Sequence, residues 1–386
     1  IRPGDVIQLT HLNGEIRSLT RRISETATLS VTRADDGFNA NIVENPLEVV
    51  EQKLSGTVAS SLYLAVNAAG TRLYSANETD RRGDKKQGTV TAFAIDPKDG
   101  SLTALNTVAS GGAGPTYVSL HPSGKFLLVA NYFGGSVAVL PVLDDGKLGD
   151  ATDVKVDAGK IGPTRAKNAP PGSFAFSGHD RTHAHQIQTD PAGKFVLHVD
   201  LGLDTIFVWR FDAAKGTLTP AKVLKTTPGI APRHSSFHPR LPYVFAINER
   251  ESSLSSYRYD VKTGDVEVVQ TIPTIPADFT KRSSPADVHV HPNGKFVYGS
   301  NRGHDSIAIF KIDEKTGELT FVGHQGKGIK TPRNFCIDPS GKFLLVGNQG
   351  ANTIVVFRIN DKTGELEPTD ISVDVSQPVC LRFLVR

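Results

Sequence analysis

Short apolar runs rich in β-branched and aromatic residues recur along the chain, separated by clusters of Gly, Pro, Asn and Asp. That alternation predicts strands joined by tight turns, and no stretch carries a helical period of useful length. The runs form a repeat. A strand leads into His-Pro or Asp-Pro with Gly-Lys-Phe, and a second strand ends in Asn, as in TYVSLHPSGKFLLVANY, DVHVHPNGKFVYGSNR and NFCIDPSGKFLLVGNQ. HQIQTDPAGKFVLHVDL is a further copy, and HSSFHPRLPYVFAINE and YLAVNAAGTRLYSANE are degenerate ones. A third strand usually follows (SIAIFKID, TIVVFRIN, TIFVWRFD), then a Thr-Gly or Asp-Gly turn and a weaker fourth strand.

The turn between the first two strands is anchored by Asn67, His121, Asp190, His238, His291 and Asp338, about 50 residues apart. Four short strands at that period read as the blades of a β-propeller. The termini supply one more blade. PVCLRFLVR matches the first strand of a unit, with Pro378 where Pro115, Pro232, Pro285 and Pro332 stand elsewhere. DVIQLTHLNGEIRSL reads as its continuation, which aligns Thr10 with Asn348 and His11 with Gln349. The predicted fold is therefore all-β: a seven-bladed β-propeller, one domain over residues 1–386, closed by N- and C-terminal strands in one blade. Such closure removes exposed sheet edges. Residues 20–60 fit the repeat poorly, and the Gly/Pro/Ser-rich stretch 159–181 is an insertion of a length that covers a site or moves.

Composition narrows the function classes. A length of 386 residues alone would suggest two or three domains, and the repeat overrides that prior. The formal charge of +3 argues for neither a nucleic-acid nor an anionic-membrane partner. No apolar run approaches the roughly 20 residues of a membrane-spanning helix. Cys336 and Cys380 sit in apolar runs and read as buried thiols, so cysteine usage does not fix the compartment.

The repeat also positions the candidate chemistry. Ten residues after each anchor stand Asn77, Asn131, Asp200, Asn248, Asn301 and Asn348, a near-constant column that reads as structural. The next residues are Glu78, Tyr132, Leu201, Glu249, Arg302 and Gln349, and five before the anchors stand Leu62, Thr116, His185, Arg233, Ala286 and Arg333. Both columns lie at the open end of the anchored hairpins, which a propeller gathers on one face around its channel. They vary, and they carry charge that the repeat does not demand. Taken alone, a charged strand end is usually a solvated rim residue. Here three Arg, Glu249 and His185 share one ring, so the guanidiniums either pair with carboxylate or await an anion. His185 among cations should be neutral and able to act as a base. The pairs His183/His185 and His289/His291 raise the question of zinc. His291 is a turn anchor, which sets it away from the site, and no metal or other cofactor is expected. No nucleophile elbow, P-loop or dinucleotide fingerprint is present.

HAHQIQTDPAGKFVLHVDLG, APRHSSFHP with AINE, SNRGHDSIAIF and TPRNFCIDPSGKFLLVGNQ together resemble the lactonase family of seven-bladed propellers, over roughly residues 61–386. That family includes propeller-type 6-phosphogluconolactonases and fungal carboxy-cis,cis-muconate cyclases. The resemblance implies catalytic roles for His185, Arg233, Glu249 and Arg302. It implies a metal-independent carboxylic ester hydrolase of carbohydrate metabolism, acting on a small anionic sugar lactone. Glu249 or His185 would activate water, and Arg302 and Arg233 would stabilise the oxyanion and hold the anion. Arg333, His183, His234, Glu78, Tyr132, Gln349 and His11 are the expected substrate-binding residues. The alternatives are a lactonising cyclase of the carboxymuconate type and a non-catalytic ligand- or protein-binding propeller. The second of these would show satisfied Arg–Glu pairs and no open cleft. A monomer or weak homo-oligomer is expected.

Overall fold

The apolar runs become strands because Val, Ile, Phe and Tyr pack well on a pleated surface and glycines take the positive φ of the turns between them. The computed structural model describes residues 61–384 except 80–86, 99, 168 and 175–179, together with the backbone of five strands before residue 58. Among the described residues there are strands and turns and no helix, and the architecture is an all-β propeller. Six four-stranded sheets follow one another, each built from four consecutive strands in sequence order. Their innermost strands are Ser61–Val66, Pro115–Leu120, Ala184–Thr189, Pro232–Phe237, Ser284–Val290 and Pro332–Ile337. In a further sheet the C-terminal strand Pro378–Leu384 pairs antiparallel with Asp5–Leu12, with Thr10 opposite Pro378. Residues that fit the repeat poorly form the outer strand Leu47–Thr57 of that sheet and a separate hairpin, Ser30–Ala34 with Gly37–Asn41.

The core lies between sheets. Second strands such as Phe126–Asn131 and Tyr243–Asn248 are buried throughout, whereas outer strands such as Val266–Pro273 are exposed or half-buried after their first residue. Phe245, Phe296, Phe310, Phe335 and Phe357 are fully buried, each contributing roughly 1.5–3 kcal/mol of transfer free energy.

The anchors join neighbouring blades. Nε2 of His121, His238 and His291 donates to the carbonyls of Gly193, Gly294 and Gly341, at 2.9, 2.9 and 2.8 Å, in the anchor turn of the following blade. Nδ1 accepts a backbone N–H two residues on, which fixes the tautomer. The Asn column is structural too: Asn131, Asn301 and Asn348 are buried and donate to the carbonyls of Ser110, Thr274 and Gly328.

Two backbone devices aim the site. First, the inner hairpins each carry a register shift. Ala184 faces Asp200 but Gln186 faces Val199, so His185 is an extra residue. The same shift isolates Leu62, Thr116, Arg233 and Arg333. A β-bulge re-aims its extra side chain, and these bulges fall on the variable column five before the anchors. Second, Ala231 and Thr331, just before Pro232 and Pro332, are left-handed, with φ of 56° and 49°. Their N–H groups are held by carboxylates of the preceding blade: Ala231 N donates to Asp204 Oδ1 and Thr331 N to Asp305 Oδ1, both at 2.8 Å. Arg233 and Arg333 follow two residues later, on an entry that is both strained and pinned.

The described residues of the insertion 159–181 bond to loops of three other blades. Gly162 N donates to Gly202 O, Arg250 to Thr164 O, and Ser173 forms a parallel bridge with Ser283. Its last residues, Asp180 and Arg181, reach the site.

Candidate active site

A cavity of about 430 Å³ opens where the variable columns converge. It is lined by Glu78, Tyr132, His183, His185, Arg233, Glu249, Arg302 and Arg333, all marked by position in the repeat or by its flanks. Thr116, Phe133, Asp180 and Arg181 complete the wall. Thr116 stood in a variable column but carries no charge, Phe133 follows Tyr132, and Asp180 and Arg181 lie in an insertion that no repeat positions. Two expected residues lie elsewhere. Gln349 is half-buried and does not line the cavity, and His234 lies one layer below, lining a much smaller void with Tyr63 and Asn334. The side chain of His11 lies outside the described residues.

Charge organises the cavity. Glu249 is buried between two guanidiniums: Arg233 Nε stands 3.0 Å from Oε2, and Arg302 Nη2 3.2 Å from Oε1. Ser284 Oγ donates to Oε1 at 3.3 Å. Arg302 is held further by the Ser284 carbonyl at 3.0 Å and the Pro285 carbonyl at 3.2 Å. Its guanidinium is pushed down to about 9 by burial, against the pull of Glu249. Arg333 makes no hydrogen bond or ion pair among the described residues. Burial, and then Arg233, lower its pKa. Glu78 is raised by burial, while Arg333 and Arg233 oppose the shift.

His185 is buried, and its Nδ1 has no hydrogen-bond partner among the described residues. Burial first, and then Arg233, His234 and Arg333, hold its pKa well below the histidine range. The imidazole is neutral at pH 7. Tyr132 meets it edge-on, with ring centroids 5.4 Å apart, and stacks on His183 at 4.2 Å. His183 is fixed by Asp180 Oδ1, 3.0 Å from Nε2, and by the Tyr132 carbonyl, 3.2 Å from Nδ1. Among the described residues no group of three or more His, Cys, Asp or Glu is placed to hold a metal ion. Of the paired histidines, His291 is committed to Gly341 and His289 to Asp287.

The model of the family described as lactonase, 7-bladed β-propeller, matches residues 40–383. The chain belongs to the lactonase family of seven-bladed β-propellers. Within it, the chain is 32% identical over 366 residues to a 6-phosphogluconolactonase of Bacillus subtilis, covering 95% of this chain and 99% of the relative. It is 33% identical over 297 residues to a 6-phosphogluconolactonase of Formosa agariphila, covering 72% and 75%. The periplasmic gluconolactonase of Pseudomonas aeruginosa superposes with a TM-score of 0.80 at 26% identity, over 99% of both chains. The cavity's side chains are polar and charged on most sides. The cavity combines a neutral imidazole with four guanidiniums in a volume of the range that small-ligand sites occupy.

One layer below, the residues four before the anchors form a column of which sequence reading singled out only His234: Tyr63, Tyr117, Gln186, His234, Asp287 and Asn334. They are linked around the channel. Tyr63 stacks on Tyr117 at 3.9 Å, Gln186 donates to Tyr117 Oη at 3.0 Å, and His234 Nδ1 lies 2.8 Å from Asp287 Oδ1.

Proposed function

We propose that this protein is a lactonase that hydrolyses an anionic sugar lactone of the 6-phosphogluconolactone type without a metal. The observation that carries the reading is the imbalance of charge in the cavity. Four guanidiniums line it against three carboxylates: Arg181 pairs with Asp180, Glu249 engages Arg233 and Arg302, and Arg333, with only the longer-range pull of Glu78 and Glu249, is left for a ligand anion. The full-length similarity to the Bacillus subtilis enzyme supports the same substrate class. In this reading the sheet that joins Pro378–Leu384 to Asp5–Leu12 is a seventh blade, so that 1–386 is one domain closed by both termini. The bond from Arg382 Nε to Leu64 O, 3.1 Å, links that blade to the next inner strand.

His185 is the general base. Water attacks the lactone carbonyl carbon and gives its proton to the imidazole, and the carbonyl oxygen becomes an oxyanion facing Arg233 and Arg302. The tetrahedral intermediate then collapses. The ring C–O bond breaks, the imidazolium returns its proton to the leaving oxygen, and a hydroxy acid results. Glu249 has both oxygens engaged, which suits it to holding the two guanidiniums in place rather than to taking a proton. A strongly depressed imidazole is a weak base in the empty cavity. A bound anion adds negative charge beside it and raises its proton affinity toward the working range.

The similarity to the Pseudomonas gluconolactonase favours a second reading, in which the lactone carries no phosphate and Arg333 is dispensable. Enzyme-dependent hydrolysis of 6-phosphogluconolactone, assayed with and without chelator, tests the proposal. Acceleration that survives chelation is expected, and no acceleration over the spontaneous rate would overturn it.

A further inference from the structure

Beneath the cavity, a buried hydrogen-bonded chain runs from the channel to Arg233. Asn334 Oδ1 accepts the Leu381 N–H at 2.7 Å, which turns its Nδ2 toward Asp287 Oδ2. His289 Nε2 lies 3.1 Å from that same oxygen. Oδ2 therefore faces those two nitrogens, and Oδ1 faces His234 Nδ1 at 2.8 Å and accepts the Val288 N–H at 3.1 Å. An ionised carboxylate only accepts, so His234 carries its proton on Nδ1. Its Nε2 is then a bare lone pair, 3.3 Å from Arg233 Nη1. Arg233 Nη1 also donates to the Ala286 carbonyl, the residue preceding Asp287. The guanidinium thus rests on two acceptors, of which His234 Nε2 comes from the layer below, while its Nε faces Glu249.

We infer that Asp287 and His234 are positioning residues that set the tautomer presented to Arg233 and so hold this guanidinium for the substrate. The inference rests on the role given to Arg233 in the lactonase reading. It extends the site to a layer that does not touch the lactone. Burial and Arg233 push His234 down to about 4, so the chain stays neutral at the imidazole across the working pH range. Asp287 is held well below the carboxylate range: burial opposes this, and His289 and His234 more than offset it.

Asp287→Asn is the decisive substitution because its outcome is directional. Asn334 Nδ2 makes a closer contact with Oδ2 than the Val288 N–H makes with Oδ1, so the new amide should place its oxygen at the Oδ2 position and turn its NH₂ toward His234, giving up the longer Val288 bond. His234 then accepts at Nδ1 and carries its proton on Nε2, facing the donor Arg233. Nitrogen-15 NMR of the imidazoles should show His234 changing from the Nδ1–H to the Nε2–H form. kcat/KM should fall about a hundredfold, the cost of displacing a catalytic group by roughly 1 Å. An unchanged tautomer with kcat/KM within twofold of the parent would overturn the inference. If that variant does not fold, His234→Gln and His234→Leu decide. The Gln amide offers a donor to Asp287 and an acceptor to Arg233, so it should retain at least about tenfold more activity than Leu, and equal activities would overturn the inference. Absence of lactonase activity in the parent protein would count against the proposed function alone, because the tautomer is read without substrate.

Discussion

Arg233 and Glu249 form a buried ion pair, Nε to Oε2 at 3.0 Å, at 2% exposure for each residue. Arg233 comes from the first strand of a blade and Glu249 from the end of its second strand. The pair therefore locks the open end of one hairpin, while Arg302 reaches Glu249 from the following blade. Three charges held this way carry a net positive charge into the buried wall of the cavity, which favours an anionic ligand or a developing oxyanion.

Glu249→Gln leaves two buried guanidiniums without their counter-charge. A loss of about 3–5 kcal/mol of stability is expected, measured by denaturant unfolding. A clamp also predicts that added phosphate raises Tm more in the variant than in the parent, since an anion replaces the lost carboxylate. If Glu249 were the base instead, kcat would vanish and phosphate would stabilise both proteins equally.

Arg333→Ala removes the guanidinium that has no ion pair among the described residues. KM for a phosphorylated lactone should rise about ten- to a hundredfold, the worth of one charge-assisted hydrogen bond, and KM for an uncharged lactone should change little. Equal effects on both substrates would contradict an anion site at Arg333.

Asp200 stands in the column otherwise filled by Asn, beside Asp157, and accepts the N–H groups of His183 and Leu203. Burial, and then Asp157, push it up to about 8. The folded state therefore binds a proton that the unfolded state has released, and this contribution weakens stability as pH rises from about 4 to about 8. His185 and His234 act in the opposite sense. Their folded values are depressed, so the unfolded chain binds more protons, and stability is lost as pH falls below about 6.5. Asp200→Asn should remove the alkaline decline and leave the acid limb intact in unfolding measured against pH. A decline that persists would show that Asp200 is not its source.

His291→Ala breaks the latch to Gly341 and leaves a buried carbonyl unpaired, at a cost of about 1–3 kcal/mol. kcat of the folded fraction should be unchanged, because the anchor lies at the far end of the hairpin from the cavity. A fall in kcat with stability preserved would place His291 in the chemistry.

Much of the site was legible because the repeat acts as an internal alignment. The constant anchor-to-Asn spacing placed His185, Arg233, Glu249, Arg302 and Arg333 at one end, where the cavity lies. Position alone could not reveal the bulges. A register shift exchanges no residue type, yet it isolates His185 and Arg233 from the ladder and turns them to the site. It also sends the next residue, His234, downward, which is why this histidine lies beneath the cavity rather than in it. Asp287 went unnoticed because its neighbour Ala286 occupied the counted column. Asp180 and Arg181 belong to an insertion tied down by long-range backbone bonds, and no periodicity encodes those.

The most direct measurement of the central claim is kcat/KM for 6-phosphogluconolactone beside kcat/KM for gluconolactone, in the parent protein and in His185→Ala. A base in an anion-selective cavity predicts a preference of at least about tenfold for the phosphorylated lactone, the worth of one charge-assisted contact. It also predicts a fall of about 10²–10⁴ in kcat without His185. Equal turnover of the two lactones, or full kcat without the imidazole, would contradict it.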